Sequence, residues 1–182
     1  MVTIGKYVAC IVEGGAESAV IDILLENDLL IFSREQMLDE RTLRNRSASD
    51  FTRSYLNKKY KGKITVLRIL DSRNTAFKIS KPYDEKIDNI YDIVTAPEIE
   101  MLIILAENKY REWKSSGKKP SEFCKSTLKL THVKQYDFIK SYFLDAEKLL
   151  RAISDYVRYS HIPAKEECLC SLIKESALRA IS

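Results

Sequence analysis

A chain of 182 residues, 45% apolar and 31% charged, is long enough to bury one sizeable core and has the balance of a globular protein. Thirty Lys and Arg against 26 Asp and Glu leave a net charge of +4, too little by itself to announce a nucleic-acid binder. No apolar run nears the roughly 18 residues of a membrane span, and the opening MVTIGKYVAC lacks a signal-peptide pattern. Membrane, secreted, collagen-like and disordered classes are thereby excluded, and a cytoplasmic location is expected.

Tyr7 to Val12 is an apolar run rich in β-branched residues, read as a buried strand that stops at Glu13-Gly14-Gly15. Ala16 to Glu26 carries Ala19, Ile23, Val20 and Leu24 at helical spacing. Leu29 to Phe32 reads as a second short strand. Residues 48 to 60 read as a helix with Phe51, Tyr55 and Leu56 on its apolar side, closed by Gly62. Ile64 to Leu70 is the clearest strand, with Asp71 directly after it. Ile90 to Val94 is another, followed by Thr95-Ala96-Pro97 and a helix from about Glu98 to Lys114.

The order so far alternates strand and helix, which predicts an α/β fold: a mostly parallel sheet flanked by helices. The remainder is helical. Apolar residues from Ile139 to Val157 recur as on one long amphipathic helix over Gln135 to Tyr159, bent midway. Ser160 to Pro163 breaks it, and Ala164 to Ala180 reads as a last helix. The expected plan is an α/β domain over 1–114 with a C-terminal all-helical portion, 115–182, packed on it as one unit. Cys10, Cys124, Cys168 and Cys170 lack zinc-site spacing and read as reduced structural thiols.

In open parallel sheets, ligands bind beyond the carboxyl ends of the strands. Acids stand at those ends: Glu13 after the first strand, Asp71 after ITVLRIL, and Glu98 and Glu100 after IYDIV. Carboxylates converging at one edge repel each other and fit a hard cation such as Mg²⁺, which can polarise a phosphoryl oxygen. The alternative is that Glu98 and Glu100 complement a helix dipole and Asp71 opens a loop. Gly14-Gly15 permits a sharp strand-to-helix turn and bares N–H groups at a helix start, a ready anion site.

Together, Val12-Glu13-Gly14-Gly15-Ala16-Glu17-Ser18-Ala19 resembles the first motif of the TOPRIM domain, a Rossmann-like α/β fold shared by primases, topoisomerases and overcoming-lysogenization-defect (OLD) nucleases. The second family motif is Asp-x-Asp at a strand end; Asp71-Ser72-Arg73 matches its first acid, with Arg73 in place of the second. Thr95-Ala96-Pro97-Glu98-Ile99-Glu100-Met101-Leu102 resembles a motif of the RloB-type and abortive-infection TOPRIM proteins of phage defence, in which Glu100 is the matching acid and Glu98 an extra one. The resemblance implies Mg²⁺- or Mn²⁺-dependent phosphodiester chemistry on DNA or RNA. Glu13 would be the general acid or base, and Asp71, Glu100 and Glu98 the metal acids. Apart from what the resemblance implies, Arg73 can contact a phosphate in the electrostatic place of a second cation, and the Gly14-Gly15 turn offers its N–H groups to one.

The modest total charge is unevenly spread. From Arg41 to Lys63 eight cations, including Arg41, Arg44, Arg46, Lys58 and Lys59, face one acid, Asp50, with Tyr55 and Tyr60 interleaved. Such a stretch can track phosphates and stack on bases, or form a solvated helix face. His132 and His161 have no partner at ligand spacing and read as surface or capping residues. Two functions compete: a metal-dependent nuclease or related phosphoryl-transfer enzyme, and a TOPRIM-shaped subunit without catalysis that binds nucleic acid or a partner ATPase. Arg73 favours the second. A phospho-acceptor signalling fold, with Asp71 as acceptor, ranks last because Glu13 is a single acid.

Overall fold

A computed structural model describes residues 2–73, 76–160, 162, 163 and 165–181. Three strands, β1 (Tyr7–Val12), β2 (Ile64–Leu70) and β3 (Ile87–Val94), form an all-parallel sheet in the order β1-β2-β3. Val12 lies opposite Ile69 and Leu70 opposite Val94, so the three strands end along one edge. β2 is buried at every position, as a central parallel strand covered on both faces should be. Its alternate residues serve two cores. Leu67 and Ile69 join Val8, Cys10 and Val12 under the main helices, whereas Ile64 and Val66 join Ala9 and Ile11 under shorter segments.

The thick face carries α1 (Gly15–Glu26), α3 (Met101–Ala106), α5 (Pro120–Ser126), α6 (Tyr136–Tyr142) and α7 (Ala146–Tyr159). α3 is buried from Met101 to Leu105 and packs on α7, while α6 lies along α1. The C-terminal helices share one core with the sheet: Phe123, Ile139, Phe143 and Leu149 belong to the same cluster as Val8 and Leu67. The thin face is closed by α2 (Ala48–Phe51), which runs on as a wider π-type turn over Thr52–Leu56, with Ile79 buried and Phe77 packed beside it. Cys10, Cys124 and Cys168 are buried free thiols. Among the described residues, no helix is long and apolar enough to cross a membrane.

Several expected elements are corrected. Leu29–Phe32 is no strand: Leu30 makes one antiparallel bridge to Ile173, and Ile31 N–H donates to the Leu172 carbonyl at 2.9 Å, so the run docks on the chain's C-terminal segment. The helix expected over 98–114 starts at Met101 and breaks at Asn108, whose φ of 56° is left-handed, before α4 (Tyr110–Ser116). The long helix of 135–159 is two, parted at 143–145, where the Asp145 carboxylate caps α7 by accepting from Glu147 N at 2.9 Å. The expected last helix is a 3-10 turn, Leu169–Leu172, and a short α8 (Glu175–Ala180); Ala164 and His161 fall outside the described residues. Between β2 and β3 the described residues hold a 3-10 turn, Lys81–Lys86, and no α-helix, so strict strand–helix alternation fails there.

Candidate functional site

Beyond the carboxyl ends of β1 and β2 lies a cavity of about 290 Å³ lined by Glu13, Glu17, Asp71, Glu100, Arg46 and Lys134, with Gly14 and Ala16 in its wall. Local chain chemistry puts each group there. β1 ends just before Glu13, and the chain turns at once into α1; a Cβ at Gly14 would stand 2.7 Å from Glu17 Oε2, so the bare glycine leaves room for that carboxylate to fold back over the helix start. At Gly15 a Cβ would meet Tyr136 N at 3.0 Å and the Lys134 carbonyl at 3.2 Å. The segment leading into α6 therefore crosses directly over this turn and carries Lys134 to the cavity.

Asp71 follows β2, and its backbone N–H donates to Glu13 Oε2 at 3.1 Å. Thr95 ties the end of β3 to β2 through two bonds to the Leu70 carbonyl, 2.8 Å from its N–H and 3.2 Å from its hydroxyl. Tyr156 on α7 donates to the Ala96 carbonyl at 2.9 Å. These bonds fix the turn that leads to Glu100, which is 2% exposed. Arg46 arrives by another route. Leu43 pairs beside β1, its N–H donating to the Cys10 carbonyl at 2.7 Å and its carbonyl accepting from Val12 N at 2.9 Å. The chain beyond it then reaches the strand end, where Arg46 donates to the Glu13 carbonyl.

The electrostatics follow from crowding acids with limited water. Partial burial raises the Glu13 carboxyl above its usual range, and a hydrogen bond with the Asp71 carboxyl adds to that, against the pull of the Asp71 N–H. Burial also raises Glu17; backbone N–H groups at the helix start and Arg44 oppose it, and Asp71 reinforces it. Glu100 is pushed up to about 7, first by burial and then by Glu98 and Glu17, with its own N–H and Lys134 acting the other way. Burial works against the Lys134 ammonium, yet Glu100, Glu98 and Asp71 hold it above its ordinary value.

Of the residues singled out in the sequence, Glu13, Gly14, Asp71, Glu100 and Arg46 meet at this cavity, and Arg44 acts on Glu17. Glu98 does not line it: its carboxylate accepts from Ser121 N at 2.8 Å, at the start of α5, and faces Lys134 at 3.5 Å. Arg73 turns away and grips Glu166 with two bonds, 2.6 and 2.9 Å. Arg41 faces Asp39 at 3.8 Å, Lys58 lies over the Tyr55 ring at 5.1 Å, and Lys59 is exposed; none of the three lines the cavity. Two lining residues were not expected. Glu17 had a legible signal, an acid in the first turn after a strand-end acid. Lys134 had none, because only the folding of α6 onto Gly15 brings it in.

Among the described residues, no group of three or more His, Cys, Asp or Glu side chains stands close enough, as placed, to hold a metal ion. Comparison with protein-family models, with curated proteins and with solved structures finds no match to this chain.

Proposed function

We propose that this chain is a TOPRIM-like, metal-dependent phosphoryl-transfer protein, a nuclease acting on DNA or RNA and working in phage defence. The observation that carries the reading is the meeting of Glu13, Glu17, Asp71 and Glu100 in one cavity at the strand ends, with Arg46 and Lys134 as the cations beside them. The donors fit a hard divalent cation in kind, all being carboxylate oxygens, and Glu13, Glu17 and Glu100 are raised first by burial and then by their acidic neighbours. Asp71 and Glu100 would hold Mg²⁺ or Mn²⁺, whose chemistry there is to polarise a phosphoryl oxygen and lower the pKa of a water. For that, the Glu13–Asp71 pair must give up its shared hydrogen bond and turn inward. Arg46 and Lys134 would hold the phosphate against the acids' repulsion, and a Glu13 carboxyl raised above its usual range is suited to the role of general acid or base.

The test is cleavage of labelled DNA and RNA with Mg²⁺ or Mn²⁺. Glu13→Gln and Asp71→Asn should each lower cleavage at least 100-fold while the melting curve keeps its cooperativity. Cleavage retained in both variants refutes the assignment. A second reading is favoured by the Arg73–Glu166 pair. With an Arg in place of the second motif acid and engaged elsewhere, the chain would be a subunit without catalysis that binds nucleic acid or a partner ATPase. Oligonucleotide binding without cleavage, under either metal, selects that reading.

A further inference from the structure

The two ends of the sheet carry opposite charge. Acids stand beyond the carboxyl ends, whereas a lysine stands immediately before each strand: Lys6 before β1, Lys63 before β2 and Lys86 before β3. Tyr7 lies opposite Ile64 and Ile64 opposite Ile87, so the three lysines form one row across neighbouring strands, roughly 5 Å apart by strand spacing. The turn leading into β2 adds Lys58, Lys59 and Lys61. Contacts hold that turn onto the row. Lys86 Nζ donates to the Leu56 carbonyl at 2.5 Å and the Lys58 carbonyl at 3.1 Å. The Tyr60 and Tyr7 rings meet at 5.4 Å, and Lys6 Nζ lies 5.9 Å from the centre of the Tyr7 ring.

We propose that this row and the turn beside it are a docking surface for the sugar–phosphate backbone of nucleic acid, at the end of the sheet away from the acid cavity. The proposal deepens the nuclease reading and rests on it for the class of polyanion. Unpaired charge carries it. Exposed cations elsewhere, such as Arg53, Lys109, Arg151 and Arg179, each hold a carboxylate at 2.5–2.8 Å. Lys6, Lys58, Lys59, Lys61 and Lys63 are exposed, and among the described residues none of them has a carboxylate within 4.0 Å. Asp88, beside Gly5, pairs with none of them. Such crowded like charges repel one another, and an external polyanion relieves that repulsion. Lysine ammonium groups are point charges that hold phosphates without reading bases. Tyr7 and Tyr60 are half-buried against each other, so the surface offers no free ring for stacking. A lipid surface would also call for an apolar side chain to insert, and the exposed large apolar residues, Ile90, Tyr136, Leu144, Val157 and Tyr159, all lie outside the row and its turn.

The test is fluorescence anisotropy of labelled DNA and RNA duplexes, about 20 base pairs long, over a salt series with chelator present so that no cleavage contributes. Lys59→Glu, Lys61→Glu and Lys63→Glu together should weaken binding at least tenfold. They should also make log K against log salt shallower by about 2 to 3, one phosphate contact being lost per lysine. The neutral set Lys59→Gln, Lys61→Gln and Lys63→Gln should weaken binding threefold or more, and it reads the surface should the reversed set fail to fold. Arg111→Glu, Lys114→Glu and Lys119→Glu, at exposed positions on and after α4, make the same change of net charge and should alter binding less than twofold. Equal losses in the two reversed sets, no loss in the neutral set, no binding of either duplex by the parent, or lysine-dependent binding to phosphatidylserine vesicles in place of duplex overturns the proposal. Lysine-dependent binding in a protein that never cuts with Mg²⁺ or Mn²⁺ removes the nuclease reading and leaves the docking surface standing. Metal-dependent cutting that survives the reversed set unchanged does the reverse.

Discussion

Asp71 and Arg73 are two residues apart after β2, yet they face different cavities with opposite treatments of charge. Around Asp71, four carboxyl groups meet two cations, and three of those carboxyls are raised by burial and by one another. Around Arg73, three acids meet three cations; Arg68 holds Asp92 at 2.9 Å and Arg73 holds Glu166 through two bonds. The second arrangement is what folding alone favours, each buried or half-buried charge having its own partner. The first costs stability, and a protein keeps such a cluster where a ligand or reaction makes use of it. The difference separates structural charge from candidate chemistry without help from conservation.

The largest effect that would break this contrast concerns Glu100. Its folded pKa of about 7 lies above the ordinary 4.5, so the folded state holds an extra proton between those values. Stability is therefore full below about pH 4.5 and falls as pH rises through 7, by about 2–3 kcal/mol once solvent screening is allowed for. Glu100→Gln should flatten that part of the melting temperature–pH curve and raise metal-free stability at pH 8 by a similar amount. An unchanged curve would mean that Glu100 is not strained. Next in size is the cation itself. Mg²⁺ or Mn²⁺ at a hundred times its dissociation constant should stabilise the parent at pH 8 by about 2.7 kcal/mol. Asp71→Asn should lose most of that increment, whereas Glu166→Gln, in the balanced cavity, should keep it.

A smaller effect probes how the two distant segments meet. Gly15→Ala puts a methyl group 3.0 Å from the Tyr136 nitrogen and 3.2 Å from the Lys134 carbonyl, both backbone atoms with little room to give. It should cost about 1–2 kcal/mol of stability and displace Lys134, lowering oligonucleotide affinity beyond what the stability loss explains. Urea melts and anisotropy on one preparation separate the two effects. A neutral Gly15→Ala would show that α6 does not fix the cavity's far wall.

The strands were legible because a central parallel strand is apolar on both faces: β1 and β2 begin and end where their apolar runs do. β3 is three residues longer than its apolar run, since Ile87-Asp88-Asn89 lies near the open side of the sheet and tolerates polar side chains. Leu29–Phe32 misled because a short apolar run says only that the segment is buried, and its partner, Ile173, lies far down the chain. The helix breaks at Asn108 and at 143–145 were hidden because apolar spacing continues across them; only the left-handed Asn108 and the Asp145 cap mark the ends. At the site, strand-end position was enough to bring Glu13, Asp71 and Glu100 together. It could not assign Arg73, whose side chain is decided by Glu166, 93 residues away.

Arg73 therefore supplies the smallest and most discriminating effect. Its side chain is 48% exposed, whereas that of Glu166 is 12% exposed, so Arg73→Ala should cost about 1 kcal/mol, the upper end for exposed ion pairs. If Arg73 stood in for a second metal at the reacting phosphate, its loss would instead lower metal-dependent cleavage by orders of magnitude. The geometry predicts a change of less than about twofold in the cleavage rate, because the guanidinium faces Glu166 and not the acids around Asp71. The double variant Arg73→Ala with Glu166→Ala should be no less stable than the worse single variant, since removing both partners leaves neither charge unpaired. A large loss of cleavage in Arg73→Ala, together with a gain in Glu166→Ala beside the native Arg73, would show that the pair opens during turnover and would join the two cavities that the resting structure keeps apart.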